Sequence, residues 1–213
     1  MKTESSIKKI VLGLCLFLIV AVMSTKMTSS VNAAELKKVD KPIDPPALVL
    51  ENLKGEKIDL ADYKGKVVLV QFWATYCIPC RTEMPSMNKL MHKLQEAKVP
   101  FEILAVDMGE TKAEVQKFVD EVKPEFTMLI VSKDEQIEAW NVFATPSNFL
   151  IGTEGKIQYT LYGEFEWDSD AVVKTITELA AAKAEEDATE TSTENTAEDT
   201  TENKKPARAK TAS

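Results

Sequence analysis

Two observations predict an α/β fold, a mixed sheet with helices on both faces. Short β-branched apolar runs alternate with stretches whose apolar residues recur every three or four positions, and the series closes with a hairpin and a helix. The longest run, Val67 to Val70 followed by Phe72 and Trp73, passes directly into helical spacing, as a buried central strand feeding a helix does.

In chain order, the segment 34–45 is polar and, with Pro42 and Pro45 inside it and Pro46 directly after, reads as an extended linker. Ala47–Leu50 and Lys57–Leu60 are expected as a short N-terminal hairpin ahead of the main fold. After the central strand, Met84, Met87, Met91 and Leu94 form one helical face, and Pro85 within it removes the donor for the Arg81 carbonyl. A strand at Phe101–Val106 ends at Asp107, and a helix over Thr111–Val122 turns Val115, Phe118, Val119 and Val122 inward. Then come a strand at Phe126–Val131, a short helix at Asp134–Trp140, and strands at Ser147–Ile151 and Lys156–Leu161 around Gly152 and Gly155. Asp168 is expected to cap a last helix that buries Val172, Ile176 and Leu179.

Both ends of the chain differ from this body. Lys2, Lys8 and Lys9 precede an apolar run from Ile10 to Met23, and Val31-Asn32-Ala33 offers the small residues of a cleavage site, so 1–33 reads as an export signal. The run is shorter than the roughly 20 residues that a spanning helix needs, which favours cleavage over a retained anchor. At the other end, 183–213 is rich in Glu, Asp and Thr and finishes in a basic patch around Lys204, Lys205 and Arg208. Such a segment buries too little apolar surface to offset its chain entropy, and it is expected to be a disordered tail. The folded domain is therefore 46–182, expected as a monomer. A net charge of −8 argues against a nucleic-acid surface.

Chemistry concentrates at Cys77-Ile78-Pro79-Cys80, where the central strand meets the helix. Unpaired N–H groups and the helix dipole favour a thiolate at such a junction, where the pKa of a C-x-x-C cysteine can fall from ~8.5 to roughly 3.5 to 7.5. A disulfide across so small a loop constrains the unfolded chain little, so a redox role accounts for the spacing better than a structural bridge. Cys15, inside the apolar N-terminal run, reads as an ordinary hydrophobe. A structural zinc would need two more matching ligands, and His92 is the sole histidine. Soft ligands for copper exist in Met84, Met87 and Met91, but core packing explains their spacing.

The string Phe72-Trp73-Ala74-Thr75-Tyr76-Cys77-Ile78-Pro79-Cys80, followed downstream by Ala144-Thr145-Pro146-Ser147 and then by Gly155, Gly163 and Trp167, resembles the TlpA/ResA-type thioredoxin-like proteins. The resemblance covers roughly 46–182 and implies a thioredoxin-like fold and thiol-disulfide exchange with protein partners. It implies that Cys77 attacks, that Cys80 resolves the mixed disulfide, and that Pro146 is a cis-proline facing them. No cofactor beyond a Cys77–Cys80 redox disulfide is implied. Thr145 is expected to touch substrate or Cys77 through its backbone or hydroxyl. Glu83 resembles the acidic residue placed near the dithiol in the ResA-type branch, since Gln71 stands where thioredoxin has its buried aspartate and cannot exchange a proton. So placed, a partly buried Glu83 carboxylate is expected to take the proton of Cys80 or return it, the alternative being a first-turn glutamate that favours the helix dipole. Trp73 and Tyr76 flank the thiols and are expected as an apolar apron for a partner, or as packing.

The reading that follows is an extracytoplasmic thiol-disulfide oxidoreductase fed by an upstream membrane or extracytoplasmic thiol reductant. Reduction, for example of apocytochrome c thiols, is the direction the resemblance suggests. Oxidation of secreted proteins uses the same chemistry. A thiol peroxidase would resemble a pattern with Thr or Ser three residues before the attacking cysteine, where Ala74 stands. A copper-binding module is the non-enzymatic alternative.

Overall fold

The strand predicted at the centre occupies the centre. In the computed structural model, which describes residues 35–131 and 135–194, β4 (Val67–Trp73) is buried at all seven positions. It pairs in parallel with β5 (Phe101–Asp107) on one side and antiparallel with β7 (Ser147–Ile151) on the other. Beyond β5 lie β6 (Thr127–Ile130), β2 (Val49–Asn52) and β3 (Lys57–Asp59). Beyond β7 lie β8 (Ile157–Tyr162) and β1 (Lys37–Ile43), which completes a mixed eight-stranded sheet in the order β1-β8-β7-β4-β5-β6-β2-β3.

Alternation along β4 sorts its side chains between two cores. Val67, Leu69 and Trp73 point into the larger, against α1 (Ile78–Glu96), α2 (Lys112–Val122) and α4 (Asp170–Glu194). Val68, Val70 and Phe72 point the other way, towards Leu48, Leu60, Phe149 and the residues around α3 (Glu135–Ala139). Helices flank both faces unequally, three long ones against one short. Gln71 shares the parity of Leu69 and Trp73, so an amide enters the layer beneath α1.

Several boundaries differ from the sequence expectation, each for a local physical reason. The segment read as a linker is in part β1, paired antiparallel with β8; its side chains are nearly all exposed, so no apolar alternation marks it. The N-terminal hairpin is no separate flap, because β2 also pairs with β6 and extends the main sheet. Leu90 takes the buried place on α1 expected of Met91, which packs at the rim. Asp168 does not cap α4: Ser169 Oγ accepts from Val172 N at 3.4 Å, while the Asp168 carboxylate lies 3.6 Å from Lys89. Helix α4 runs past 182 to Glu194, in keeping with the helix-favouring Ala, Glu and Lys residues there. The proposed signal and the rest of the tail lie outside the described residues, within which no helix is long and apolar enough to cross a membrane.

Leu69 is fully buried where β4 meets the helical layer. Leu69→Ala is expected to cost about 2–5 kcal/mol, read as a lower urea midpoint at unchanged slope.

Candidate active site

Immediately after β4 the chain makes one tight turn, closed by Cys77 N donating to Ala74 O at 3.1 Å, and then enters α1. Cys77 is the N-cap of that helix, and Cys80 N donates to its Sγ at 3.2 Å. Sulfur thus takes the place that a hydroxyl or carboxylate usually fills, and the helix start favours negative charge on it. Pro79 costs nothing here, because an N–H in the first turn has no helical partner. Cys77 and Cys80 are joined by a disulfide, with Sγ–Sγ 2.02 Å and Cα–Cα 5.3 Å. Cys80 is fully buried, whereas Cys77 keeps 6% of its surface exposed.

One turn beyond Cys80 on the same helix face is Glu83, only 2% exposed. Its carboxyl group accepts hydrogen bonds from Gln71 Nε2, from Phe165 N at 3.1 Å and from Trp167 Nε1 at 3.4 Å. Burial raises its pKa from 4.5 to about 8, and the three donors only partly oppose that rise. A first-turn glutamate answering the helix dipole would sit in water; this one is inside the protein. The same Gln71 nitrogen also lies 3.3 Å from Met87 Sδ, so one amide holds the carboxyl against the core side of the helix.

The remaining wall comes from two later segments. Thr145–Pro146 is a cis peptide bond directly before β7, and the Pro146 carbonyl accepts from Gly163 N at 3.0 Å. Pro146 is buried and Thr145 half-buried. After β8 the chain turns back over α1, where Trp167 N donates to Ser86 Oγ at 3.1 Å, so the segment holding Glu83 is itself tied to that helix.

Of the two flanking aromatics, only Tyr76 can meet a partner. Trp73 is completely buried and its ring packs on Phe118 at 4.5 Å, so the expected apron role is corrected to core packing. The parity of β4 decides this, since Trp73 shares the inward face with Leu69. Tyr76 and Ile78 are each 74% exposed and Phe143, just before the cis bond, 84%; the sequence reading passed over the last two. Met84 and Met87 are buried under α1, while His92 is exposed and pairs with Glu125 at 2.6 Å, so these side chains do not converge.

Also missed was an acid pair beside the thiol loop. Glu110 accepts from both the backbone N–H (2.6 Å) and the hydroxyl of Thr75. Gly109 N and Glu110 N donate to Asp107 Oδ2 at 3.0 and 2.8 Å. Burial pushes the Asp107 carboxyl up to about 7, and the neighbouring Glu110 adds to the rise. Asp107 stood in the sequence as a strand end, but nothing local ties Glu110 to a residue so far back in the chain.

Both raised carboxyls bind protons more tightly folded than unfolded. The stability they contribute is therefore fully present only below 4.5 for Glu83 and below 3.8 for Asp107, and is lost as pH rises through about 8 and about 7 respectively. The urea midpoint of the oxidised protein is expected to fall between about pH 5 and about pH 9, and Glu83→Gln should flatten the upper part of that fall. The slope is the readout, because a glutamine also sets its NH2 against two fixed donors.

Comparison with known proteins agrees with this geometry. The AhpC/TSA family matches residues 44–160. Thiol-disulfide oxidoreductase ResA of Bacillus thuringiensis subsp. konkukian is 39% identical over 128 residues, covering 60% of this chain and 73% of that protein. The ResA of Geobacillus kaustophilus is 41% identical over 118 residues, covering 55% and 67%. Among solved structures, a Chlorobium tepidum protein assigned as thiol:disulfide interchange protein DsbE superposes with a TM-score of 0.60 at 30% identity, over 67% of this chain and 99% of that one. The chain belongs to the AhpC/TSA family, with a thioredoxin-like fold, and is a thiol-disulfide oxidoreductase similar to ResA.

Proposed function

We propose that the protein works outside the cytoplasm as a reductant of disulfides in other proteins, with apocytochrome c thiols as a fitting product. The buried Glu83 carboxyl is the observation that carries the mechanism. In the dithiol form, the Cys77 thiolate attacks one sulfur of the partner's disulfide; the partner's S–S bond breaks, and its other sulfur leaves as a thiolate and takes up a proton. Cys80 then loses its proton to Glu83 and attacks Cys77 Sγ, which releases the second partner thiol and leaves the Cys77–Cys80 disulfide. Two electrons from an upstream thiol reductant restore the dithiol.

A base for the second step works best when its pKa lies near ambient pH, and about 8 meets that condition. The resolving thiol is wholly buried, so water is poorly placed to take its proton. Tyr76 and Ile78, exposed on either side of Cys77 in the chain, give a partner an apolar seat beside it. Among the described residues nothing bonds the backbone of Thr145, which leaves it open to an extended strand of the partner. The apolar N-terminal run supports export, and the ResA relatives support protein disulfides as substrates.

Cys77→Ser is expected to abolish reduction of a protein disulfide, and Glu83→Gln to slow it by about 10²-fold and remove the alkaline pKa from the rate profile. An unchanged profile in Glu83→Gln would defeat the proton role. Direction is read from the reduction potential of the Cys77/Cys80 pair: about −270 mV is expected of a reductant, and a value around −120 mV would make the protein an oxidant.

A further inference from the structure

Thr75 lies two residues before Cys77, in the turn that leads β4 into α1. Both of its polar hydrogens go to one carboxylate, that of Glu110. Glu110 stands in the loop after β5, held by its own backbone: its N–H and that of Gly109 close on Asp107 Oδ2. Asp107 in turn is the β5 residue opposite Trp73 in the parallel register, and Met108 N donates to Trp73 O at 3.0 Å. A two-pronged grip thus runs from the rigid end of the central strand pair to the thiol-bearing turn.

We propose that Glu110 is a positioning residue for Cys77, fixing the Thr75 turn so that Sγ sits at the head of α1 within reach of Cys80 N. It does not touch the reacting sulfur. Its effect passes through Thr75, whose backbone conformation sets where Cys77 enters the helix. Two hydrogen bonds to one residue fix its orientation as well as its place. Backbone bonds hold the turn at its two ends, Met108 N on Trp73 O and Cys77 N on Ala74 O, and Glu110 is the side chain that holds Thr75 between them. The inference rests on Cys77 being the attacking thiol.

The test separates geometry from charge and from general stability. Reduced wild type, Glu110→Ala, Glu110→Gln and Thr75→Val are compared for the iodoacetamide alkylation rate of Cys77 at neutral pH, the potential of the dithiol, and the melting temperature. Glu110→Ala is expected to slow alkylation about tenfold and to shift the potential, because misplacement of a reacting group costs rate steeply. Glu110→Gln keeps an amide oxygen for one Thr75 donor and should recover most of the rate; Thr75→Val should fall between.

Slowing in Glu110→Ala with recovery in Glu110→Gln supports positioning. Equal acceleration in both would show a charge effect on the thiolate and overturn the proposal. A lower melting temperature with alkylation and potential unchanged would also overturn it, as mere loop packing. Retained turnover in Cys77→Ser would instead defeat the assignment of the nucleophile. Alkylation at Cys77 still reports the grip in that case, so the two failures are distinguishable.

Discussion

Burial of the Glu83 carboxyl is the constraint to which the rest of this structure answers. An ionised carboxylate in a protein interior is costly unless donors meet it, and otherwise it keeps its proton. Here it does both. Three donors converge from β4, from the backbone after β8 and from an indole ring, yet the carboxyl still holds its proton well above the ordinary range. Because those donors belong to segments far apart in sequence, the site is complete only once the chain after β8 has folded back over α1. Trp167 N on Ser86 Oγ fastens the same closure a turn further along the helix.

The two sulfurs occupy the other end of this arrangement with a different electrostatic logic. Cys77 sits at a helix start, where N–H groups and the dipole favour negative charge. Cys80 and Glu83 face the interior, where charge is disfavoured. A single turn of helix thus separates a position that stabilises a thiolate from one that keeps a carboxyl protonated. That contrast fits the proposed division of labour, in which Cys77 attacks and Cys80 waits until Glu83 has given up its proton and can act as its base.

Much of the fold was legible because the central elements are buried on both sides. β4 is apolar almost throughout and β5 carries a similar run, so length and β-branching were enough to place them, while the Gly152–Gly155 turn marked β7 and β8 as a hairpin. Errors fell where burial does not mark the pattern. β1 has exposed side chains and makes its contribution through backbone pairing, which leaves no trace in hydropathy. For Trp73 the sequence left a partner apron and packing both open because it adjoins the cysteines, whereas strand parity turns it inward against Phe118. Ser169 displaced Asp168 as cap because the start of α4 lies nearer the serine, while Asp168 approaches Lys89 on α1.

What the sequence determined by itself is the reacting pair and its setting: two thiols, two residues apart, at the exit of a buried strand and the entry of a helix. Helix-start electrostatics follow from that local pattern alone. Tertiary structure decided which groups govern those thiols. Glu83 meets Phe165 and Trp167 across 82 and 84 residues of chain, and Thr75 meets Glu110 across 35. Such contacts depend on sheet register and on how helices and loops close over it, so a periodicity read a few residues at a time carries no record of them.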